Sequence, residues 1–201
     1  MKQERKTESK EYIIEAFTRL LHEKSLEKIT VSDISRLAGI NRGTFYLNYL
    51  DKEDLLVSII NEKVNGLKNI MTENDNLSKI DILDTVPYET ILDLLYYFKK
   101  DSYFISGLVK NHAEGYFITA FKNIMEDLFF ERLKLTQVKF SDSQVNYLIE
   151  MINSNIISIT LLWIKRDFSE SEEEIAQLLE ISKTTAPLDL FIDQNQLKNE
   201  Y

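Results

Sequence analysis

Arg42, Thr44 and Asn48 lie in the segment NRGTFYLNY and have side chains suited to reading base edges in DNA. An arginine guanidinium can donate two parallel hydrogen bonds to guanine, and an asparagine amide can pair with adenine. Gly43, between Arg42 and Thr44, has no side chain that would hold a groove wall away. Leu47 stands one turn further along, beside Asn48. These residue types and their spacing predict the groove-facing surface of a DNA-binding helix.

To present these side chains a helix must begin near Arg42, and the preceding residues predict the elements that place it. Thr30, followed three residues later by Asp33, has the spacing of a capping box at the start of an earlier helix. Gly39 predicts the end of that helix, because glycine readily adopts the left-handed conformation that a tight corner requires. Asn41 is a favourable N-cap for the next, short helix. A capped helix, a glycine corner and a second short helix form a helix-turn-helix motif.

The stretch TVSDISRLAGINRGTFYLNYLDKEDLL resembles the DNA-binding domain of TetR-type (tetracycline-repressor-like) transcriptional regulators, with a match over roughly residues 8–60. The residues that carry the resemblance occur in order along the chain: Thr30, Ile34, Ala38, Gly39, Asn41, Gly43, Thr44, Tyr46 and Lys52. The resemblance implies phosphate contacts from Thr30, Tyr46 and Lys52. It implies a groove-facing set of Arg42, Gly43, Thr44 and Asn48. The chain departs from the family pattern at Asn48, where histidine is commoner, and at Tyr49, where phenylalanine is commoner.

The resemblance also implies two functional parts. Residues 1–52 are expected to form the helix-turn-helix DNA-binding domain, and a fourth helix at about 52–71 is expected to connect it to the rest. Residues 53–201 are expected to form a helical effector-binding and dimerisation domain. The segment LLWIKRDFSESEEEIAQLL is similar to the ending of one subgroup of such regulators.

The charge distribution restricts where DNA can approach. Residues 1–52 carry ten Lys and Arg against eight Asp and Glu, a net charge of +2, whereas residues 53–201 carry fourteen against twenty-five, a net charge of −11. Only the N-terminal quarter can lie close to a phosphate backbone, because the acidic remainder repels it.

The sequence also indicates where the protein is located. The chain has no cysteine, and MKQERKTESKEY lacks the apolar core of a signal peptide. The clean apolar stretch IISITLLWI is well short of the ~20 residues that span a bilayer. We therefore expect a cytoplasmic protein with no membrane partner.

The apolar residues recur at helical spacing, and two prolines and five glycines leave few breaks. Capping boxes at Ser141 with Gln144 and at Ser171 with Glu174 predict the starts of the last two helices. The polar stretch TENDNLSKIDILDTV predicts a connection. The predicted fold is all-α, with an N-terminal three-helix helix-turn-helix DNA-binding domain and a C-terminal helical ligand-binding and dimerisation domain.

The central helices are rich in aromatic residues, with ten of the chain's twenty-two in residues 96–130. Some of these rings are expected to line an effector cavity, since ligand sites between helices are mostly apolar with a few polar groups. Simple core packing is the alternative for each of them. The candidate ligand-binding residues are Tyr97, Phe104, His112, Tyr116, Phe117, Phe121 and Trp163.

The helix predicted from Ser141 to about Arg166 is apolar over much of its circumference, so it must be buried on more than one side. Packing inside the protomer accounts for one side, and packing against a second copy is expected to account for another. A dimer also suits DNA reading, because two recognition helices about 34–36 Å apart match one turn of duplex. The candidate interface residues are Ile152, Asn155, Ile156, Ile159 and Trp163.

The sequence therefore predicts a ligand-responsive regulator that binds a pseudo-palindromic DNA operator as a homodimer, acts as a repressor and responds to an unknown small-molecule effector. One alternative is a protein of the same fold that acts mainly by binding a partner protein, with an idle DNA surface. A helical enzyme or carrier is a third possibility, supported by the aromatic cluster alone. The two histidines are far apart, and no catalytic triad, P-loop or dinucleotide motif is present. No enzyme activity, metal site or cofactor is expected.

Overall fold

The computed structural model describes residues 2–73, 86–134 and 141–183. These residues form helices joined by short corners, which confirms the predicted all-α fold. The predicted connection TENDNLSKIDILDTV lies almost wholly outside the described residues. The helices are α1 (Lys2–Glu23), α2 (Val31–Leu37), α3 (Arg42–Tyr46), α4 (Lys52–Glu73), α5 (Tyr88–Lys100), α6 (Ser102–Lys110), α7 (Glu114–Leu133), α8 (Asp142–Lys165) and α9 (Glu172–Ser182), with a 3-10 turn at Leu26–Lys28.

The chain separates into two compact units. The first consists of residues 1–68 and 100–124, and the second of residues 69–99 and 125–201. In the first unit, side chains from α1 to α4 form a core with almost no solvent exposure; its largest members are Phe17, Phe45, Ile13, Leu21, Ile34, Leu55 and Leu56. Their spacing on each helix follows the helical period, so each helix turns one apolar face inward.

Helix α6 packs directly on α1 in the first unit. A Cβ atom added at Gly107 would lie 3.0 Å from Leu21 Cβ, so the two helices approach each other as closely as glycine allows. The Asn111 side chain then joins two segments: its Nδ2 donates to the Leu21 carbonyl at 2.6 Å, and its Oδ1 accepts from the Leu26 amide at 2.6 Å. Lys110 Nζ donates to the His22 carbonyl at 2.6 Å. These bonds satisfy carbonyl groups that the end of a helix leaves without partners.

The second unit contains α8, α9, nearly all of α5, the end of α4 and the last part of α7. Ser141 and Ser171 begin α8 and α9 with complete capping boxes, as the sequence predicts. Between these helices the chain turns through Asp167 and Phe168, which both have positive φ angles. Trp163 lies at this corner with 1% exposure, and its Nε1 donates to the Glu170 carbonyl at 2.9 Å.

Helix α8 exposes three large apolar side chains along one face. Tyr147 and Met151 are each 72% exposed and Leu162 is 60% exposed, with the small side chains Ser154 and Ser158 also exposed between them. Within the described chain, α8 is also the one helix whose length and composition would allow it to cross a membrane, over Ser143–Lys165. This is weak evidence for a membrane span, because helices of soluble proteins can pass the same test.

Candidate DNA interface

The start of α2 is held by a hydrogen-bonded network centred on Asp33. Its Oδ2 accepts from the Thr30 amide at 3.1 Å and from the Thr30 hydroxyl at 2.7 Å, and the Thr30 hydroxyl in turn accepts from the Asp33 amide at 3.1 Å. Lys24 Nζ donates to the same carboxylate at 2.6 Å, and Arg36 Nη2 donates to its other oxygen at 3.0 Å. The hydrogen bond from Lys24, followed by that from Thr30, holds the pKa of Asp33 well below its usual range. The network ties α1 to the first turn of α2.

Gly39 makes the corner between α2 and α3. Its φ of +66° lies in the left-handed region, and no other atom lies within 4 Å of a Cβ built there, so the backbone conformation rather than crowding requires glycine. Asn41 then caps α3, with its Oδ1 accepting from the Thr44 amide at 2.8 Å. The corner and both caps agree with the helix-turn-helix predicted from the sequence.

Gly43 has a second role that sequence reasoning missed. A Cβ built on Gly43 would lie 3.1 Å from Asn41 Oδ1, the atom that caps the helix. A larger residue would push this oxygen by a few tenths of an ångström. Glycine at this position therefore protects the cap as well as leaving the surface of α3 open.

Phe45 anchors α3 to the first unit. Its ring is fully buried and makes an edge contact with the Tyr46 ring, at 5.6 Å between centroids. Tyr49 follows one turn later and is also buried, which raises the pKa of its hydroxyl because the charged form is poorly solvated. Since Phe45 faces inward, the neighbouring residues of this short helix must face solvent.

The exposed surface of α3 is formed by Arg42, Gly43, Tyr46 and Leu47. Leu47 is 78% exposed and Tyr46 is 49% exposed. Arg42 Nη2 donates to the Tyr46 hydroxyl at 3.3 Å, and its guanidinium lies 6.0 Å from the centre of that ring. Across the described ranges, no carboxylate pairs with Arg42. We call this exposed set, together with the half-buried Thr44, the α3 surface.

Unlike the exposed residues of the α3 surface, Asn48 and Lys52 direct their side chains to backbone carbonyl groups of the protein itself. Asn48 is half-buried and its Nδ2 donates to the Thr44 carbonyl at 2.8 Å, so one donor of the predicted adenine-reading amide is already used. Lys52 Nζ donates to the Leu26 and Glu27 carbonyls at 2.9 and 3.0 Å, and its side chain is 17% exposed. Lys52 thereby ties the start of α4 to the 3-10 turn, a structural role that its sequence position did not reveal.

Known families match both parts of the chain. Residues 13–59 match the family described as "Bacterial regulatory proteins, tetR family", and residues 86–183 match one described as "Transcriptional regulator C-terminal region". The chain belongs to the TetR family of bacterial regulatory proteins. This TetR-family protein is a DNA-binding transcriptional regulator and not an enzyme.

Individual relatives agree with this assignment. The dhaKLM operon transcriptional activator DhaS of Lactococcus lactis is 26% identical over 151 residues, which are 74% of this chain and 75% of that protein. The uncharacterized regulator YwcC of Bacillus subtilis is 26% identical over 106 residues, which are 50% of this chain and 48% of YwcC, so that alignment spans about half of the relative.

Solved structures share the fold. A structure of the dihydroxyacetone kinase operon activator DhaS has a TM-score of 0.57 at 24% identity, covering 87% of this chain and 93% of that chain. A structure of FadR from Bacillus subtilis in complex with stearoyl-CoA has a TM-score of 0.60 at 20% identity, covering 86% and 97%. At these identities the comparison establishes the fold alone.

The candidate ligand-binding residues of this TetR-family regulator are divided between the two units. In the first unit, Phe104 is buried, Tyr116 and His112 are exposed, and the half-buried rings of Phe117 and Phe121 stack with centroids 6.5 Å apart. In the second unit, Tyr97 is half-buried on α5. Trp163 is buried in the second unit, and its Nε1 donates to the Glu170 carbonyl. Burial is compatible with lining a cavity, so its ligand-binding role stays a prediction.

The predicted dimer residues lie beside the exposed face of α8. Ile152, Ile156 and Ile159 are half-buried, and Asn155 Nδ2 donates to the Ser182 hydroxyl on α9 at 2.8 Å. Trp163 is only 1% exposed within its own unit, so its assignment to the dimer interface is corrected: it is a core residue there. The most exposed apolar side chains of α8 are instead those of Tyr147, Met151 and Leu162. Sequence periodicity located the apolar helix but not which of its faces the protomer covers.

Proposed function

We propose that this TetR-family regulator binds a pseudo-palindromic operator in the bacterial cytoplasm as a homodimer, and that it represses transcription until an effector binds. The observation that carries the proposal is the α3 surface, an exposed set of base-reading side chains on a corner whose two caps are fully hydrogen-bonded. Side chains on such a corner need little further ordering when DNA binds, which favours specific contact.

Within the α3 surface, Arg42 is the residue best suited to read a base. Its guanidinium has five N–H donors, and the bond to the Tyr46 hydroxyl uses one of them. The remaining donors include those needed for the bidentate contact to guanine. Thr44 and Leu47 extend the same surface, and Asn48 reads adenine only if its amide releases the Thr44 carbonyl.

Phosphate contacts are proposed for Thr30, Tyr46 and Lys52, which position the protein without reading sequence. The Tyr46 hydroxyl accepts from Arg42, so its own hydrogen remains able to donate to a phosphate oxygen. Lys52 uses two of its three ammonium donors on carbonyl groups and lies 3.7 Å from the Glu53 carboxylate, so a phosphate must compete with Glu53 for the third. We therefore expect Lys52 to contribute less to DNA affinity than an extended lysine would.

A second copy of the chain is proposed to cover the exposed face of α8. Its large apolar side chains, Tyr147, Met151 and Leu162, are separated by the small Ser154 and Ser158, so a second helix can approach closely. An exposed apolar face of this extent marks an interaction surface. A twofold interface would bring the same face of both protomers together. We assign dimerisation and effector binding to residues 53–201.

The effector and the direction of regulation are proposed from the family. The stearoyl-CoA complex of FadR indicates that a related fold accommodates a ligand with a long apolar chain. DhaS is named as an activator, so a role in activation is the second candidate for the sign of regulation. In either case the effector acts by shifting the population between conformations with different operator affinity.

Selection of duplexes from a random pool by the purified full-length protein tests the proposal. Wild type is expected to enrich a two-part site with half-sites one helical turn apart. Arg42→Ala is expected to lose about 1–3 kcal/mol of discrimination at one base pair of each half-site.

Arg36→Ala is the matched control, because it removes the same charge from an exposed side chain that pairs with Asp33. It is expected to leave the enriched sequence unchanged. If both variants lose affinity equally for all duplexes, Arg42 does not read a base. If wild type enriches no sequence, the chain acts instead through a partner protein, with an idle DNA surface.

A further inference from the structure

The second unit contains a small, partly open apolar cavity with one polar side chain in its wall. The cavity has a volume of about 20 Å³, which is room for about one water molecule. It lies among α4, α7 and α8 and is lined by Met71, Met125, Leu128, Phe129, Ile149, Ile152 and Asn153. Among these described residues, Asn153 alone has a side chain that forms conventional hydrogen bonds.

Asn153 is 1% exposed, and neither its Oδ1 nor its Nδ2 has a hydrogen-bond partner within the described part of the chain. A side-chain amide can donate two hydrogen bonds and accept two. Leaving such a group buried without partners destabilises a protein, so buried amides in native structures are almost always paired. A residue kept in this condition marks a place where a polar group from another molecule can bind.

We propose that Asn153 is the polar anchor of the effector site and that the effector is a small, uncharged, mainly apolar molecule with one end group that both donates and accepts hydrogen bonds. A primary amide, an alcohol or an undissociated carboxylic acid has this chemistry. The inference rests on the proposed ligand response. None of the described residues that line the cavity is ionisable, so an ionised end group would find no counter-charge among them.

The cavity enlarges on binding because two of its walls are adaptable. Met71 and Met125 have unbranched, flexible side chains that can change rotamer to admit a ligand larger than water. Asn153 also lies on the same helix as the exposed face proposed for dimerisation, two residues from Met151. A ligand held by Asn153 therefore acts directly on the helix that sets the relation between protomers.

Calorimetric titration of the full-length protein with pentanamide tests the site. The Met125→Ala variant has a larger cavity and is expected to bind pentanamide. Met71→Ala, which enlarges the same cavity from helix α4, replaces Met125→Ala in the titration if that variant does not fold. The matched control is the double variant Met125→Ala/Asn153→Leu, which keeps the space and removes the amide. It is expected to bind pentanamide at least about tenfold more weakly. Pentanoate at pH 7.5, which is ionised, is expected to bind at least about tenfold more weakly than pentanamide.

Thermal unfolding gives a second readout. Asn153→Leu alone is expected to raise Tm by about 2–6 °C, because it replaces an unpaired buried amide with an apolar group of similar size. A lower Tm would show that the amide is already satisfied, and would overturn the proposal. Equal binding of pentanamide by both cavity variants, or equal binding of pentanoate, would also overturn it.

These measurements use no DNA, so their failure is distinguishable from failure of the proposed function. Asn153→Leu is expected to select the same operator as wild type when no effector is added. If wild type selects an operator but pentanamide binding does not depend on Asn153, the proposed regulatory function is retained. The assignment of Asn153 as the effector anchor is then wrong.

Discussion

The capping side chains of the helix-turn-helix corner and the buried Asn153 amide of the α7–α8 region differ in their hydrogen bonding. At the corner, Thr30, Asp33 and Asn41 each form hydrogen bonds that cap a helix or join two helices. In the α7–α8 region, Asn153 is buried without a partner beside a cavity, again within the described residues. The first arrangement holds one surface in one conformation, and the second leaves room for a molecule to enter. A regulator needs both, because DNA reading requires a fixed surface and ligand response requires an adaptable one.

The first unit and helix α8 also differ in how fully they bury their apolar side chains. The core of the first unit contains Phe17, Phe45 and Leu55 at no more than 1% exposure. Helix α8 leaves Tyr147, Met151 and Leu162 mostly exposed. The first unit therefore encloses its core among α1 to α4, whereas α8 leaves three large apolar side chains uncovered within the described chain.

The largest effect is expected from Phe45→Ala, which removes the buried anchor of α3. Deleting a fully buried phenylalanine side chain should lower the free energy of unfolding by about 3–5 kcal/mol. Urea denaturation followed by circular dichroism measures the change. Leu47→Ala, two positions along and mostly exposed, is expected to stay within about 0.5 kcal/mol of wild type. Similar losses from both variants would contradict the orientation of α3 described here.

A charge on the exposed face of α8 is expected to separate the protomers. Met151→Asp would place two carboxylates in a twofold interface without counter-charges, which should raise the dimer dissociation constant at least about a hundredfold. Sedimentation equilibrium measures this constant. Asn123→Asp adds the same charge at an exposed position of α7 and should leave it unchanged. A wild type that sediments as a monomer at all concentrations would rule out the proposed dimer.

Two glycines with equal space around them are expected to respond with opposite sign. A Cβ atom at Gly39 or Gly115 would meet no atom within 4 Å, but only Gly39 has a positive φ. Gly39→Ala should therefore destabilise the protein by about 1–2 kcal/mol, because the left-handed conformation strains an alanine. Gly115→Ala, in helix α7, should be neutral or stabilising by up to about 1 kcal/mol. Gly39→Asn should lose less stability than Gly39→Ala, because asparagine tolerates the left-handed conformation better. Chemical denaturation of the three variants measures the order of their free energies of unfolding.

The smallest effect is expected from the Asp33 network and depends on pH. Because hydrogen bonds lower the pKa of folded Asp33, the carboxylate stabilises the folded state above its unfolded pKa of about 3.9, and this contribution is lost as pH falls below that value. Asp33→Asn should thus be less stable than wild type at pH 7, with the difference shrinking between about pH 4 and pH 2. The urea concentration at the midpoint of unfolding, measured for both proteins across this pH range, tests the prediction. Glu11→Gln, at an exposed position of α1, should show no comparable trend.

Local sequence patterns predicted the helix starts correctly. Thr30, Ser141 and Ser171 each begin a helix with a complete capping box, and Gly39 adopts the left-handed corner conformation. These features depend on residues within three or four positions of one another, so the sequence states them directly. The same locality explains why the sequence could assign Arg42 and Leu47 to one surface, because both belong to the short segment that follows the Asn41 cap.

Contacts between distant segments were not predictable in the same way. The Lys52 ammonium bonds carbonyls 25 and 26 residues earlier, and Asn111 bonds Leu21 and Leu26. The burial of Trp163 and the unpaired amide of Asn153 depend on how several helices pack. An asparagine inside an apolar helical stripe was the one sequence signal that could have indicated the cavity, but it does not reveal whether the amide faces a core, a partner or a ligand.

The sequence by itself determined the helices, the glycine corner, the charge asymmetry and the short segment proposed to face DNA, because each arises from neighbouring residues or from composition. Tertiary structure alone decided which face of α8 is exposed, where Lys52 points and which polar groups of the described residues are buried without a partner. Those outcomes arise from packing between segments far apart in the chain, where the direction of a side chain depends on its whole surroundings and not on its neighbours in sequence.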